Sequence, residues 1–227
     1  MLGDPGPPGH HHLHLFRDHR IAAIAAAVMY AAAATVFVLV AIDPGLVQPV
    51  DDAWRESMVS IENGVLTVVA KAFDVVGGVW VIWPLRIVVT GYLAAVRRWT
   101  LFLIWVITTV LVELAIGPLK GLYDRPRPPD PLVETSGPAF PSGHATAGAA
   151  TAIALVIVLL PPGEHRRVWE VRAAAFAFVM ALSRTYLQAH WLTDTVAGAL
   201  LGSALALTVA AAVQVLRRRR RSETPLR

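Results

Sequence analysis

The chain has 227 residues, enough for one domain, of which 56% are hydrophobic and 16% charged, with a mean hydropathy of +0.56. That balance excludes an ordinary soluble domain and points to a protein that crosses a membrane several times. The net charge of +4 rests on arginines at the ends of apolar segments, a topology signal with no nucleic-acid partner expected, and zero cysteines exclude disulfides, thiolate catalysis and Cys-based metal sites.

In chain order, residues 1–20 carry Pro5, Pro7 and Pro8 among glycines, with His10, His11, His12, His14 and His19. No carboxylate cluster accompanies these histidines, and the segment reads as a disordered cytosolic tail. Residues 21–42 form a run of 22 without a charge. At ~1.5 Å per residue it crosses a ~30 Å hydrocarbon core and is too long for a signal-peptide core. Arg17 and Arg20 precede it and Asp43, Asp51 and Asp52 follow, which puts the N-terminus inside.

Over 51–76, Trp54, Met58, Ile61, Val65, Leu66, Val69 and Phe73 recur at helical spacing between charges. This predicts one or two amphipathic helices on the outer membrane surface. Gly77-Gly78 breaks the pattern. Five further spans are expected at about 79–96, 100–119, 145–160, 168–187 and 195–216. Arg97-Arg98, Arg166, Arg167, Arg172 and the arginine run 217–221 then fall inside, and the loops 120–144 and 184–194 outside. The expected fold is all-α: a six-span bundle over 21–216 with an interfacial amphipathic helix after the first span, both termini cytosolic and a basic tail at 217–227. Two charges, Arg86 and Glu113, lie inside spans. Either they pair, or Arg86 snorkels while Glu113 faces a polar cavity above.

Chemistry gathers in the two outer loops. Lys120, Arg125, Arg127 and Arg184 are cations on the face opposite to the other arginine clusters. Pro141-Ser142-Gly143-His144 is where a proline-rich loop meets an apolar helix, with Ser142 as N-cap and Gly143 leaving the backbone approachable. The free N–H groups of such a helix start attract phosphate. His190 and Asp194 are four residues apart, so a helix start lets the carboxylate fix the imidazole tautomer and free its other nitrogen. Cations, a helix N-terminus and two histidines suit phosphoryl transfer without a metal. A cluster that only binds lipid phosphates explains the cations but neither the histidines nor the aspartate.

Lys120 and Arg127-Pro128, then Pro141-Ser142-Gly143-His144, then Ser183-Arg184, His190 and Asp194, match in order and internal spacing the three-part signature of the type 2 phosphatidic acid phosphatase superfamily, which the chain therefore resembles. The resemblance implies His190 as the nucleophile that forms a phosphohistidine, Asp194 as its orienting partner, and His144 as the acid on the leaving oxygen. It implies Lys120, Arg127, Ser142, Gly143 and Arg184 as the phosphate cradle, with no metal and no cofactor. Arg86, Asp124 and Arg125 are outside the pattern. The implied activity is hydrolysis of a lipid phosphate (phosphatidate, phosphatidylglycerol phosphate or a polyprenyl mono- or diphosphate) at the extracytoplasmic face of a bacterial plasma membrane. A lipid-linked phosphotransferase using the same intermediate, and a catalytically silent lipid-binding or transport protein, are the alternatives.

Overall fold

The computed structural model describes residues 19–222, with side chains from 20 to 217. Of the tail expected over 1–20, residues 1–18 fall outside these bounds, as does the far end of the basic tail, while residues 19 and 20 begin the first helix. Among the described residues all regular secondary structure is helical. Helix α1, His19–Ile42, is followed by a 3-10 turn, Pro44–Leu46, capped by the Asp43 carboxylate on Gly45 N–H. Then come α2, Gln48–Ser60; α3, Gly64–Gly77; α4, Val79–Ala95; α5, Trp99–Tyr123; α6, Gly143–Leu159; α7, Glu164–Tyr186; and α8, Leu192–Ser222.

The core helix is α6, which packs against α8, α7 and α5 and buries eleven of its 17 residues, five of them alanines. Small side chains let the neighbouring backbones come close. The tightest approach is at Gly198 and Gly202, one turn apart on α8. A Cβ at Gly198 would stand 2.7 Å from the Ser142 carbonyl oxygen, and one at Gly202 would run into the backbone carbonyl of Thr146. Gly202→Ala is therefore expected to destabilise the fold by about 3 kcal/mol or more, the upper end for overpacking. Gly91→Ala, at a position open to 4 Å, is the control. Thermal melts in detergent check this, and equal melting of the two variants would refute it.

Three helices, α1, α5 and α8, are long and apolar enough to cross a membrane, and α3 with α4 makes a fourth candidate, bent by 46° between them. Their outer faces are apolar and exposed, with Trp80 on α4 91% exposed. The other two expected spans do not qualify by length and composition. Helix α6 is roughly 25 Å long against a ~30 Å core, and α7 carries Glu164, Arg166, Arg167, Glu170 and Arg172 in its first half. The protein is integral to the membrane through its apolar helices. The turns α4–α5 and α6–α7 and the end of α8 share one end of the bundle, where Arg97, Arg98, Leu160, Pro161 and Arg217 line a common cavity.

Inside the bundle Arg86 and Glu113 pair, which decides between the two readings of these charges. Arg86 is buried and also donates to Thr151 Oγ1 of α6 at 3.3 Å. The expected amphipathic segment is two helices, α2 and α3, and both pack on protein. Met58 and Ala70 join Tyr186, Leu187 and Ala189 in one cluster. The Tyr186 hydroxyl accepts from Asn63 N–H at 3.0 Å, pinning the turn between α2 and α3 to the end of α7.

Candidate active site

The end of the bundle opposite the arginine cavity gathers the last turn of α5, the loop 124–142, the start of α6, the end of α7, the turn 187–191 and the start of α8. Ser142 caps α6, its hydroxyl accepting from Ala145 N–H at 3.4 Å while its own N–H donates to the Asp194 carbonyl at 3.0 Å. The cap of α6 and the first turn of α8 are thus joined directly. Gly143 faces Lys120: a Cβ there would lie 4.0 Å from Lys120 Cε, so the glycine keeps open the space between a cation and free helix N–H groups.

Lys120 and Arg184, expected in loops, sit on helices. Helix α5 runs on to Tyr123, so Lys120 is in its last turn, and Arg184 is buried in the last turn of α7. Lys120 Nζ donates to the Pro138 carbonyl, which Arg127 Nη2 also reaches at 3.4 Å. Arg127 further donates to the carbonyls of Gly137 at 2.9 Å, Ser136 at 2.8 Å and Ala189 at 2.7 Å. Its guanidinium is thereby clamped beside His190.

His190 is buried in the turn between α7 and α8, where Gln188 takes φ 54°. Arg127 Nη1 lies 3.3 Å from His190 Nε2. A guanidinium only donates, so Nε2 is the lone-pair nitrogen and Nδ1 carries the hydrogen. Nδ1 points at Asp194 Oδ2, 3.5 Å away and outside hydrogen-bond geometry. Burial first, then the charges of Arg127, Arg184, Lys120 and His144, hold the His190 pKa well below the ordinary histidine value. That favours the neutral imidazole, the form in which a ring nitrogen has a lone pair to offer.

His144 sits in the first turn of α6. Its Nε2 is 3.2 Å from the Asp74 carbonyl oxygen and 3.3 Å from Asp74 Oδ1, and since a carbonyl only accepts, Nε2 carries a hydrogen. Arg184 Nη1 pairs with the same Asp74 carboxylate. All eight residues singled out from the sequence therefore converge on one end of the bundle, around His190.

The profile of the PAP2 superfamily matches residues 98–218, more than half of the chain. The chain belongs to the PAP2 superfamily. It is 29% identical over 167 residues to phosphatidylglycerophosphatase B of Bacillus subtilis (strain 168), across 71% of this chain and 82% of that one. A crystal structure of a transmembrane PAP2-type phosphatidylglycerolphosphate phosphatase from Bacillus subtilis matches with a TM-score of 0.70 at 25% identity, over 87% of this chain and 98% of that one. The fold is also that of Aquifex aeolicus LpxE, with a TM-score of 0.57 at 21% identity over 70% and 92% of the two chains. The protein is a membrane lipid phosphatase of the PAP2 type, a hydrolase.

Two residues that support this site, Asp51 and Asp74, escaped the sequence reading, and a third, Arg125, was counted only among the outer cations, outside the motif. Asp51 and Asp74 lie before the segment that the family profile covers. A signal was present for both. Asp51 continues the apolar stripe of Trp54, Met58 and Ile61 by one turn, and Asp74 falls on the inward line between buried Ala70 and Gly77. A carboxylate on a protein-facing line needs a partner. Arg125 was visible as a cation of the outer proline-rich loop, but nothing in the sequence tied it to Asp51 and Asp194.

Proposed function

We propose that the chain removes phosphate from a membrane lipid at the extracytoplasmic face of a bacterial plasma membrane, through a phosphohistidine on His190. The observation that carries this reading is the placement of His190 Nε2, the lone-pair nitrogen, 3.3 Å from the Arg127 guanidinium. The charges of Lys120, Arg127 and Arg184 and the free N–H groups at the start of α6 meet the non-reacting phosphate oxygens. His190 Nε2 attacks phosphorus, the bond to the lipid oxygen breaks, and His144, entering as the imidazolium, gives that oxygen a proton. Water then attacks the phosphohistidine, His144 takes the proton of the water, and inorganic phosphate leaves with His190 restored.

Six spans, with α2 and α3 as interfacial elements outside, suit this reading. Helices α4 to α8 alternate in direction, and the arginines that line the cavity opposite His190 favour that end as the cytosolic one. The exposed apolar faces of α3, α4 and α5 let the acyl or prenyl chains stay in lipid while the headgroup enters. The name of the Bacillus subtilis relative favours phosphatidylglycerol phosphate as substrate, with phosphatidate and polyprenyl mono- and diphosphates as the other members of the class.

The test is phosphate release by the purified protein in detergent with EDTA, offered phosphatidate, phosphatidylglycerol phosphate and undecaprenyl diphosphate. Release from at least one of them, undiminished by the chelator, is expected. Phosphate appearing instead on an added lipid or sugar acceptor would make the protein a phosphotransferase, and no release from any would reject the reading.

A further inference from the structure

Arg125 has no part in the phosphate chemistry set out above, yet its side chain is 1% exposed and lies between two fully buried carboxylates. Its Nη1 donates to Asp194 Oδ1 at 2.7 Å and to Thr193 Oγ1 at 2.8 Å. Its Nη2 donates to Asp51 Oδ2 at 2.7 Å and to Gln48 Oε1 at 3.1 Å. Four terminal N–H groups thus meet four protein acceptors, and none is left for a phosphate. Asp51 is itself fixed, accepting from Thr193 N–H at 2.9 Å and from Thr193 Oγ1 at 2.7 Å. The second Asp194 oxygen takes the Trp191 N–H at 2.9 Å.

This chain of bonds begins on α2, which lies outside the bundle, and ends on the carboxylate that faces the nucleophile. A pin serving only to hold α2 down has no need to end there. The rotation of Asp194 about its side-chain bonds is set by the Arg125 fork on one oxygen, and that rotation decides where the other oxygen stands relative to His190 Nδ1.

We propose that Arg125, anchored by Asp51 of α2, is a positioning residue for the nucleophile: it fixes the Asp194 carboxylate so that Oδ2 faces His190 Nδ1. This rests on His190 being the nucleophile. A lysine in place of Arg125 keeps the charge but presents one point in place of a planar fork, and does not span Asp51 and Asp194 with the same geometry. Asp51→Asn keeps the shape and removes the charge that anchors the fork.

The experiment uses the full chain in detergent, with Arg125→Lys, Asp51→Asn and His190→Ala side by side, and measures kcat, KM, the Ki for inorganic phosphate and the melting temperature. For the first two variants kcat is expected to fall about 10²-fold, the usual effect of a misplacement of about 1 Å, while Ki for phosphate stays within about threefold because Lys120, Arg127 and Arg184 are untouched. An unchanged kcat in both, with His190→Ala inactive, overturns the proposal and leaves the nucleophile standing. A joint collapse of kcat, phosphate affinity and melting temperature in both overturns it in favour of a purely structural pin. Turnover retained by His190→Ala overturns it together with the reading on which it rests.

Discussion

His190→Ala is expected to lower phosphate release by on the order of 10⁴-fold or more, because without the imidazole there is no covalent intermediate and water must attack the phosphate unaided. The loss should fall on kcat. Inorganic phosphate should still bind, since the clamp on Arg127 is made by the carbonyls of Ser136, Gly137 and Ala189 and does not depend on the imidazole. The direct measurement is acid-labile, alkali-stable label on the wild-type protein after brief exposure to a ³²P-labelled substrate, absent from the variant. Label retained by His190→Ala would put the nucleophile elsewhere.

His144→Ala is the second large effect, a loss of about 10²–10⁴-fold, the usual contribution of a general acid. Its size should depend on the leaving group. A lipid alcohol departs poorly without a proton, whereas 4-nitrophenolate departs without help, so the variant should recover much of its activity on 4-nitrophenyl phosphate. Equal losses on both substrates would mean that His144 binds phosphate and does not move a proton. The Asp74 contacts fix Nε2 as one protonated nitrogen, so in the proposed mechanism Nδ1, protonated in the imidazolium, is the nitrogen that gives its proton to the leaving oxygen.

Long apolar runs bounded by arginines or glycines mark helices clearly, which is why 21–42 and 79–96 became α1 and α4 within two residues at each end. Such runs do not say what surrounds them. Helix α6 is short for a membrane and is covered by neighbouring helices, and α7 begins four residues before the span expected at 168–187, taking in Glu164, Arg166 and Arg167. The membership of the site was legible because its residues come in three compact motifs with fixed spacing. Their supports were not. Asp51 and Asp74 meet Arg125 and Arg184 across 74 and 110 residues, and a carboxylate on an amphipathic helix looks solvent-facing until its partner is placed. Lys120 and Arg184 were assigned to loops because a cation ending an apolar run reads as a boundary, although helix geometry continues past it.

The glycine contact between α6 and α8 separates two jobs within the bundle. Gly198 sits one turn beyond Asp194 and against the carbonyl of Ser142, so the helix that carries His144 and the helix that carries Asp194 form one rigid chassis. Its geometry leaves no slack for side chains that would reshape a pocket. Room to change which lipid is accepted lies on the outer face of α4, which carries none of the site residues and where a Cβ at Gly91 meets nothing within 4 Å. The same division tells an engineer where to begin: vary that face, and leave the chassis as it is.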